Sequence, residues 1–221
     1  MPHAASARPE NLLASLAGAS DALRALAARG EHRRYRRDSV LINEGEAGDT
    51  LYIVLAGRLR AFASGDKDRE ITYGVYGPGE YLGEMSLDGG PRSASVITLE
   101  PSTCALVTRR TLEQHIAEYP QFAFELLAKV IRRARAATLS TKQMALNDVY
   151  GRLRMLLDNS AQGQLSGHRY IAPRPTHQEL SRQIGCSREM VSRLMKDLER
   201  GGYVSLDGNG LTLAAPLPQR W

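Results

Sequence analysis

Arg188 and Ser192, and Glu189 and Arg193, are each four residues apart, so the two pairs form one broad face near the start of a helical stretch. Arginine can donate two parallel bonds to guanine O6 and N7, and glutamate can accept from cytosine N4. Such a face has the chemistry to read base edges, at about 1–3 kcal/mol of discrimination per good contact. Behind it, Val191, Leu194, Met195 and Leu198 recur at spacings of three and four and form the buried side. A second helix must come first. Thr176 with Glu179 three residues on is a capping box, and Leu180 and Ile184 are the buried face it opens. Ser181 is small where another helix would crowd, Gly185 stands at the turn, Cys186 continues the core, and Ser187 can cap the next helix. The spacing predicts a helix-turn-helix. Arg182, Lys196 and Arg200 are candidate phosphate contacts, which position without reading sequence.

The rest of the chain must carry and orient that unit. Short apolar runs at Val40–Ile42, Leu51–Leu55, Ile71–Tyr76, Ala94–Leu99 and Ala105–Val107 are separated by Gly45, Gly48, Gly57, Gly77, Pro78 and Gly79. Short strands with glycine corners predict an antiparallel roll of jelly-roll type. Ahead of them, Leu12, Leu13, Leu16, Leu23 and Leu26 suggest two short helices interrupted near Gly18. The run Arg33, Arg34, Arg36 and Arg37 around Tyr35 reads as a solvated strand entry. Helical periodicity then runs almost unbroken from Thr111 to Leu146. Within it, Leu127, Val130, Ala134, Ala137, Thr141 and Met144 form a thin coiled-coil seam, which predicts a homodimer through residues 111–146. A helix over Asp148–Leu157, a polar loop over Ser160–Gly167 and a terminal hairpin complete the pattern. The hairpin pairs Tyr203–Leu206 with Leu211–Leu213 across Asp207-Gly208-Asn209-Gly210. The expected fold class is α+β: a β-roll over 10–110, a long helix over 111–146 and a winged helix-turn-helix over 147–221.

The formal net charge of +5 is mild, and residues 146–221 hold 10 Lys or Arg against 7 Asp or Glu. Any preference for DNA must therefore come from placed side chains rather than bulk charge. Cys104 and Cys186 lie far apart without CxxC spacing, so a disulfide framework, a structural zinc site and an iron–sulfur cluster are not expected. His32, His115 and His168 lack the pattern of haem ligands and read as surface residues, and His177 reads as a polar residue of a first helical turn. Met1–Pro9 lacks a charged start followed by an apolar core, and no run of about 18 apolar residues occurs. Neither a signal peptide nor a membrane span is expected, and the cytoplasm is the expected setting.

The stretch Gly185-Cys186-Ser187-Arg188-Glu189-Met190-Val191-Ser192-Arg193 resembles the recognition helix of the CRP/FNR family, the relatives of the cyclic-AMP receptor protein. Gly83-Glu84-Met85-Ser86-Leu87-Asp88-Gly89-Gly90-Pro91-Arg92-Ser93-Ala94 resembles the phosphate-binding cassette of cyclic-nucleotide domains. Together the likeness runs from about Leu12 to the terminal hairpin. It implies a ligand-responsive transcription regulator that is not an enzyme. Arg188, Glu189 and Arg193 would read a palindromic operator with TGTGA-like half-sites, assisted by Thr176, Gln178, Ser187, Ser192 and Lys196. In the cassette, Arg92 and Ser93 would hold the cyclic phosphate and Glu84 a ribose 2′-hydroxyl, with Gly83 and Met85 alongside. Where relatives place a hydroxyl pair on the long helix, this chain has Ala137 and Thr138, so Thr138 keeps one hydroxyl. Cyclic AMP and cyclic di-GMP are both candidate effectors, and RNA polymerase a candidate partner that the Ser160–Gly167 loop would meet.

Two rival functions share this architecture. A regulatory module could use its C-terminal helices to dock a protein, although the charged face at Arg188, Glu189 and Arg193 suits a protein groove poorly. The roll could also serve as a scaffold without a ligand. An enzyme is disfavoured, because no nucleophile–base pair, metal-ligand cluster or phosphate-transfer loop stands out.

Overall fold

The strand-and-glycine stretch folds into two four-stranded antiparallel sheets that share no strand. A computed structural model of the chain describes residues 16, 18–65, 70–165, 168–208 and 210–220. It separates into two units, Met1–Ala63 with Thr72–Arg135 and Ser64–Ile71 with Ala136–Trp221. The first unit holds α1 (Asp21–Arg29), β1 (Glu31–Tyr35), β2 (Val40–Ile42), β3 (Leu51–Ala56), β4 (Leu59–Ser64), β5 (Glu70–Tyr76), β6 (Tyr81–Leu82), a 3₁₀ turn (Glu84–Ser86), β7 (Ser95–Thr98), β8 (Ser102–Val107) and α2 (Arg109–Glu118). One sheet runs β1-β8-β3-β6 and the other β2-β7-β4-β5. Side chains alternate along a strand. In β3, Leu51, Ile53 and Leu55 pack with Leu23 and Leu26 of α1 and Leu112 of α2, while Val54 packs with Ile42, Leu59 and Val96 between the sheets. The β1 arginines lie on an exposed edge strand, where Arg33 pairs with Glu31 at 2.7 Å. The first of the two expected N-terminal helices lies outside the described residues, apart from buried Leu16. The second is α1, capped by the Ser20 hydroxyl on the Leu23 N–H.

The expected helix over 111–146 is two helices. Pro120 lacks an N–H and disfavours helical backbone at the residue before it, so α2 ends at Glu118, Tyr119 leaves the helical region (φ −125°), and α3 (Gln121–Leu146) begins afresh. On α3, Phe124, Leu127, Ile131, Leu139 and Met144 are exposed, with Phe124 at 74%. At 3.6 residues per turn, Phe124, Leu127, Ile131, Ala134 and Thr138 fall within roughly 80° of arc. The exposed apolar face is thus rotated from the expected seam, and Val130 is half-buried.

His115 is a correction. It was expected at the surface and is fully buried, stacked on Tyr119 (4.7 Å between centroids) and edge-on to Phe122 (5.3 Å). The α2 periodicity brings it to the face shared with Leu112. Neither ring nitrogen makes a hydrogen bond of ordinary geometry, although the Ala22 backbone lies near enough to favour the proton weakly. Burial, then the nearby Arg29 guanidinium, pull its pKa below the ordinary 6.5. The unfolded chain therefore binds the proton first, so stability is full above pH 6.5 and is lost as pH falls through the lower folded value. His115→Leu is expected to flatten this acid limb and raise the melting temperature at mildly acidic pH. Parallel melting curves for the two proteins from about pH 5 to pH 8 would contradict it.

The second unit contains α4 (Val149–Ser160), β9 (Gln162–Leu165), β10 (His168–Ile171), α5 (His177–Ile184), α6 (Arg188–Arg200), β11 (Val204–Asp207) and β12 (Gly210–Leu213). Its sheet runs β11-β12-β10-β9. The expected polar loop at Ser160–Gly167 is in its middle a strand. Gln162 and Leu165 pair with Tyr170 and His168, so an edge strand forms by backbone bonding without an apolar alternation to announce it. The terminal hairpin forms where expected, with the strands drawn one residue further into the turn: Val204 lies opposite Leu213 and Asp207 opposite Gly210, and Asn209 lies outside the described residues. Leu153, Leu157, Leu180, Val191, Leu198 and Leu211 form the center of this unit's core.

Candidate functional site

The cassette of the first unit is built around Arg92, which is only 7% exposed. Its Nη1 donates to Gly83 O (3.0 Å) and Ser86 Oγ (2.9 Å), and Nη2 donates to Thr50 O (2.9 Å). Three of its five N–H groups are thus spent on the fold, which leaves two for a ligand oxygen. Burial pulls its pKa down, opposed by Tyr52 and Asp49. Gly83 must be glycine. Its φ is +91°, and a Cβ would lie 2.6 Å from both Arg92 Nη1 and Thr50 O. Gly83→Ala is therefore expected to destabilise the first unit by about 1–3 kcal/mol or more and to displace Arg92. A denaturation midpoint equal to that of the native protein would contradict it.

Glu84 opens the 3₁₀ turn and is 4% exposed. Its Oε1 is engaged by Arg133 Nη1, whose Nη2 also donates to Tyr81 O at 3.0 Å. Its Oε2 is buried without a partner. Sequence reasoning gave Glu84 no protein partner and missed Arg133, one of several arginines on a long helix 49 residues away. One turn earlier on α3, Lys129 Nζ stands 3.8 Å above the Tyr81 ring. Burial pulls the Lys129 pKa to about 8, with Glu80 opposing. Ser93 and Met85 are exposed, with Ser93 Oγ 3.6 Å from Met85 Sδ. Thr138 is exposed on α3.

In the second unit the expected capping box is complete. Thr176 Oγ accepts from the Glu179 N–H (3.1 Å), and Glu179 Oε2 accepts from the Thr176 N–H (2.7 Å). Gly185 takes φ +66°, and Cys186 N–H donates to Ser181 O, closing the turn. Ser187 caps α6 on the Met190 N–H (3.2 Å). Val191, Leu194, Met195 and Leu198 are buried, which turns Arg188, Glu189, Arg193 and Lys196 to the surface around one shallow depression with half-buried Ser192. The Glu189 carboxyl is held below the usual range by its own backbone N–H and Ser187, then by Arg188 and Arg193. Thr176 and Ser187 are exposed and Gln178 is half-buried, while Arg182 is half-buried and Arg200 exposed. Sequence reasoning also missed that His177 Nδ1 lies 2.9 Å from Ser192 Oγ. Among the described residues no cluster of His, Cys, Asp or Glu could hold a metal, and no helix is long and apolar enough to cross a membrane.

A roll with a buried arginine–glutamate cassette and a winged helix-turn-helix define a ligand-responsive, DNA-binding transcription regulator. The cyclic nucleotide-binding domain family matches residues 32–119, and the Crp-like helix-turn-helix domain family matches residues 151–216. The CRP-like protein Clp of Xanthomonas campestris pv. campestris is 30% identical over 195 residues, covering 84% of this chain and 85% of that protein. A CRP-like cAMP-activated global transcriptional regulator of Mycobacterium tuberculosis is 29% identical over 184 residues, covering 81% and 82%. The solved structure of the c-di-GMP responsive regulator CLP of Xanthomonas campestris superimposes with a TM-score of 0.76 at 26% identity, covering 88% of this chain and 98% of that one. The chain belongs to the CRP/FNR family of transcription regulators.

Proposed function

We propose that the chain works as a homodimer whose affinity for a palindromic operator is set by a cyclic nucleotide bound in the roll. The observation that carries the effector is Glu84 Oε2, a buried acceptor without a donor beside an arginine with N–H groups to spare. A ribose 2′-hydroxyl would satisfy the first and a cyclic phosphate the second. The roll, residues 10–110, is the sensor. The exposed face of α3 supports dimerisation through residues 111–146, and residues 147–221 present the DNA-reading helix. Arg188, Glu189 and Arg193 read bases, and Thr176, Gln178, Ser187 and Lys196 hold the backbone. TGTGA-like half-sites then follow the two-fold axis.

A cyclic mononucleotide such as cyclic AMP fits one phosphate on Arg92. Cyclic di-GMP is the second reading, favoured by the further cations Arg133 and Lys129 that α3 sets against β6. Both relatives' effectors carry the phosphate and ribose this cassette suits. Calorimetric titration with each nucleotide, repeated on Arg92→Ala, tests the site. Micromolar or tighter binding of one nucleotide, lost in the variant, is expected. Absence of heat with either would reduce the roll to a scaffold.

A further inference from the structure

The two helices of the DNA-reading motif are tied by a bond that base readout does not require. His177 opens α5, and its Nδ1 meets Ser192 Oγ of α6 at 2.9 Å with both residues half-buried. Ser192 shares its surface depression with Arg188, Glu189, Arg193 and Lys196. The charged groups that act on the ring are both cations, Arg174 from the segment leading into α5 and Arg188 from α6. The nearest acid of its own first turn, Glu179, is held by the Thr176 N–H and hydroxyl. Burial first, then these guanidiniums, hold the imidazole below its ordinary value, so it is neutral in the free protein near pH 7. Docking on DNA reverses the electrostatic part of this balance. Bound DNA would bring phosphate charge beside the ring and would engage Arg174 and Arg188 in contacts of their own, both of which favour the imidazolium.

We propose that His177 takes up a proton when α6 docks on DNA, donating from Nδ1 to Ser192 and from Nε2 to a backbone phosphate, so that operator affinity rises as pH falls. The proposal rests on the DNA-binding reading above. No other group need change its protonation, and the proton comes from solvent. Each protomer contributes up to one proton, and each proton taken up changes affinity by at most about tenfold per pH unit.

The test is fluorescence anisotropy of a duplex with two inverted TGTGA half-sites centred one helical turn apart, at fixed ionic strength from about pH 6 to pH 8. Cyclic AMP or cyclic di-GMP is present at saturation, whichever gives the tighter complex. Native protein is expected to gain at least about threefold in affinity per pH unit over His177→Gln, which retains a hydrogen-bonding side chain but cannot titrate. Calorimetry at one pH in phosphate and in Tris counts the protons directly, and native protein is expected to take up more than the variant. Equal slopes and equal proton counts would overturn the inference while leaving DNA binding intact. Failure of the folded native protein to bind the duplex better than a random one would overturn the operator reading itself.

Discussion

Arg193→Ala is expected to weaken operator binding by about 2–6 kcal/mol, because the proposed two-fold dimer would lose the same contact of about 1–3 kcal/mol in each half-site. Arg193 is exposed on α6, while its neighbours Val191 and Leu194 are buried in the core of the second unit. Truncating it would remove the proposed reading group without opening a cavity, so thermal stability is expected to stay within about 0.5 kcal/mol of native. The loss should fall on the operator and spare random DNA, since a base contact carries sequence information and a phosphate contact does not. Competition between operator and random duplexes measures this. Equal losses on both would reassign Arg193 to the backbone.

Arg133→Met destabilises the first unit by about 3 kcal/mol, because it leaves the Glu84 carboxylate buried and unpaired. The figure sits at the low end of such losses because Arg133 keeps 20% of its side chain exposed, whereas the Glu84 side chain is 0% exposed. Arg133 also gives up its bond to Tyr81 O. The double variant Glu84→Gln/Arg133→Met removes both charges and is expected to recover most of the stability while still failing to bind nucleotide. The two losses are then strongly non-additive, as expected for a coupled pair. Additive losses in denaturant titrations would mean that the pair is not a unit.

Local chemistry made half of this site legible in the sequence. The capping box at Thr176 and Glu179, the glycine at 185 and the apolar stripe of α6 are each settled within a few residues, so the helix-turn-helix could be read almost residue by residue. Asp207-Gly208 marked the terminal hairpin for the same reason. The cassette was legible through its resemblance, but its wiring was not. Arg92 bonds chiefly to carbonyls, and the carboxylate of Glu84 is met by an arginine on α3, a partnership set by tertiary packing that no short spacing reports. His115 escaped for a related reason, since one polar residue on an amphipathic helix gives no sign that its face turns inward. Pro120 did carry a local signal, and the continuous periodicity on either side of it masked the break.

A nucleotide held in the roll is proposed to alter the grip of α6 on DNA. The most direct measurement is the affinity of the full chain for the inverted-repeat duplex with no nucleotide, with saturating cyclic AMP and with saturating cyclic di-GMP. One nucleotide is expected to change operator affinity by about 5–150-fold in either direction, and the duplex to change nucleotide affinity by the same factor. Equal operator affinity in all three conditions would contradict it.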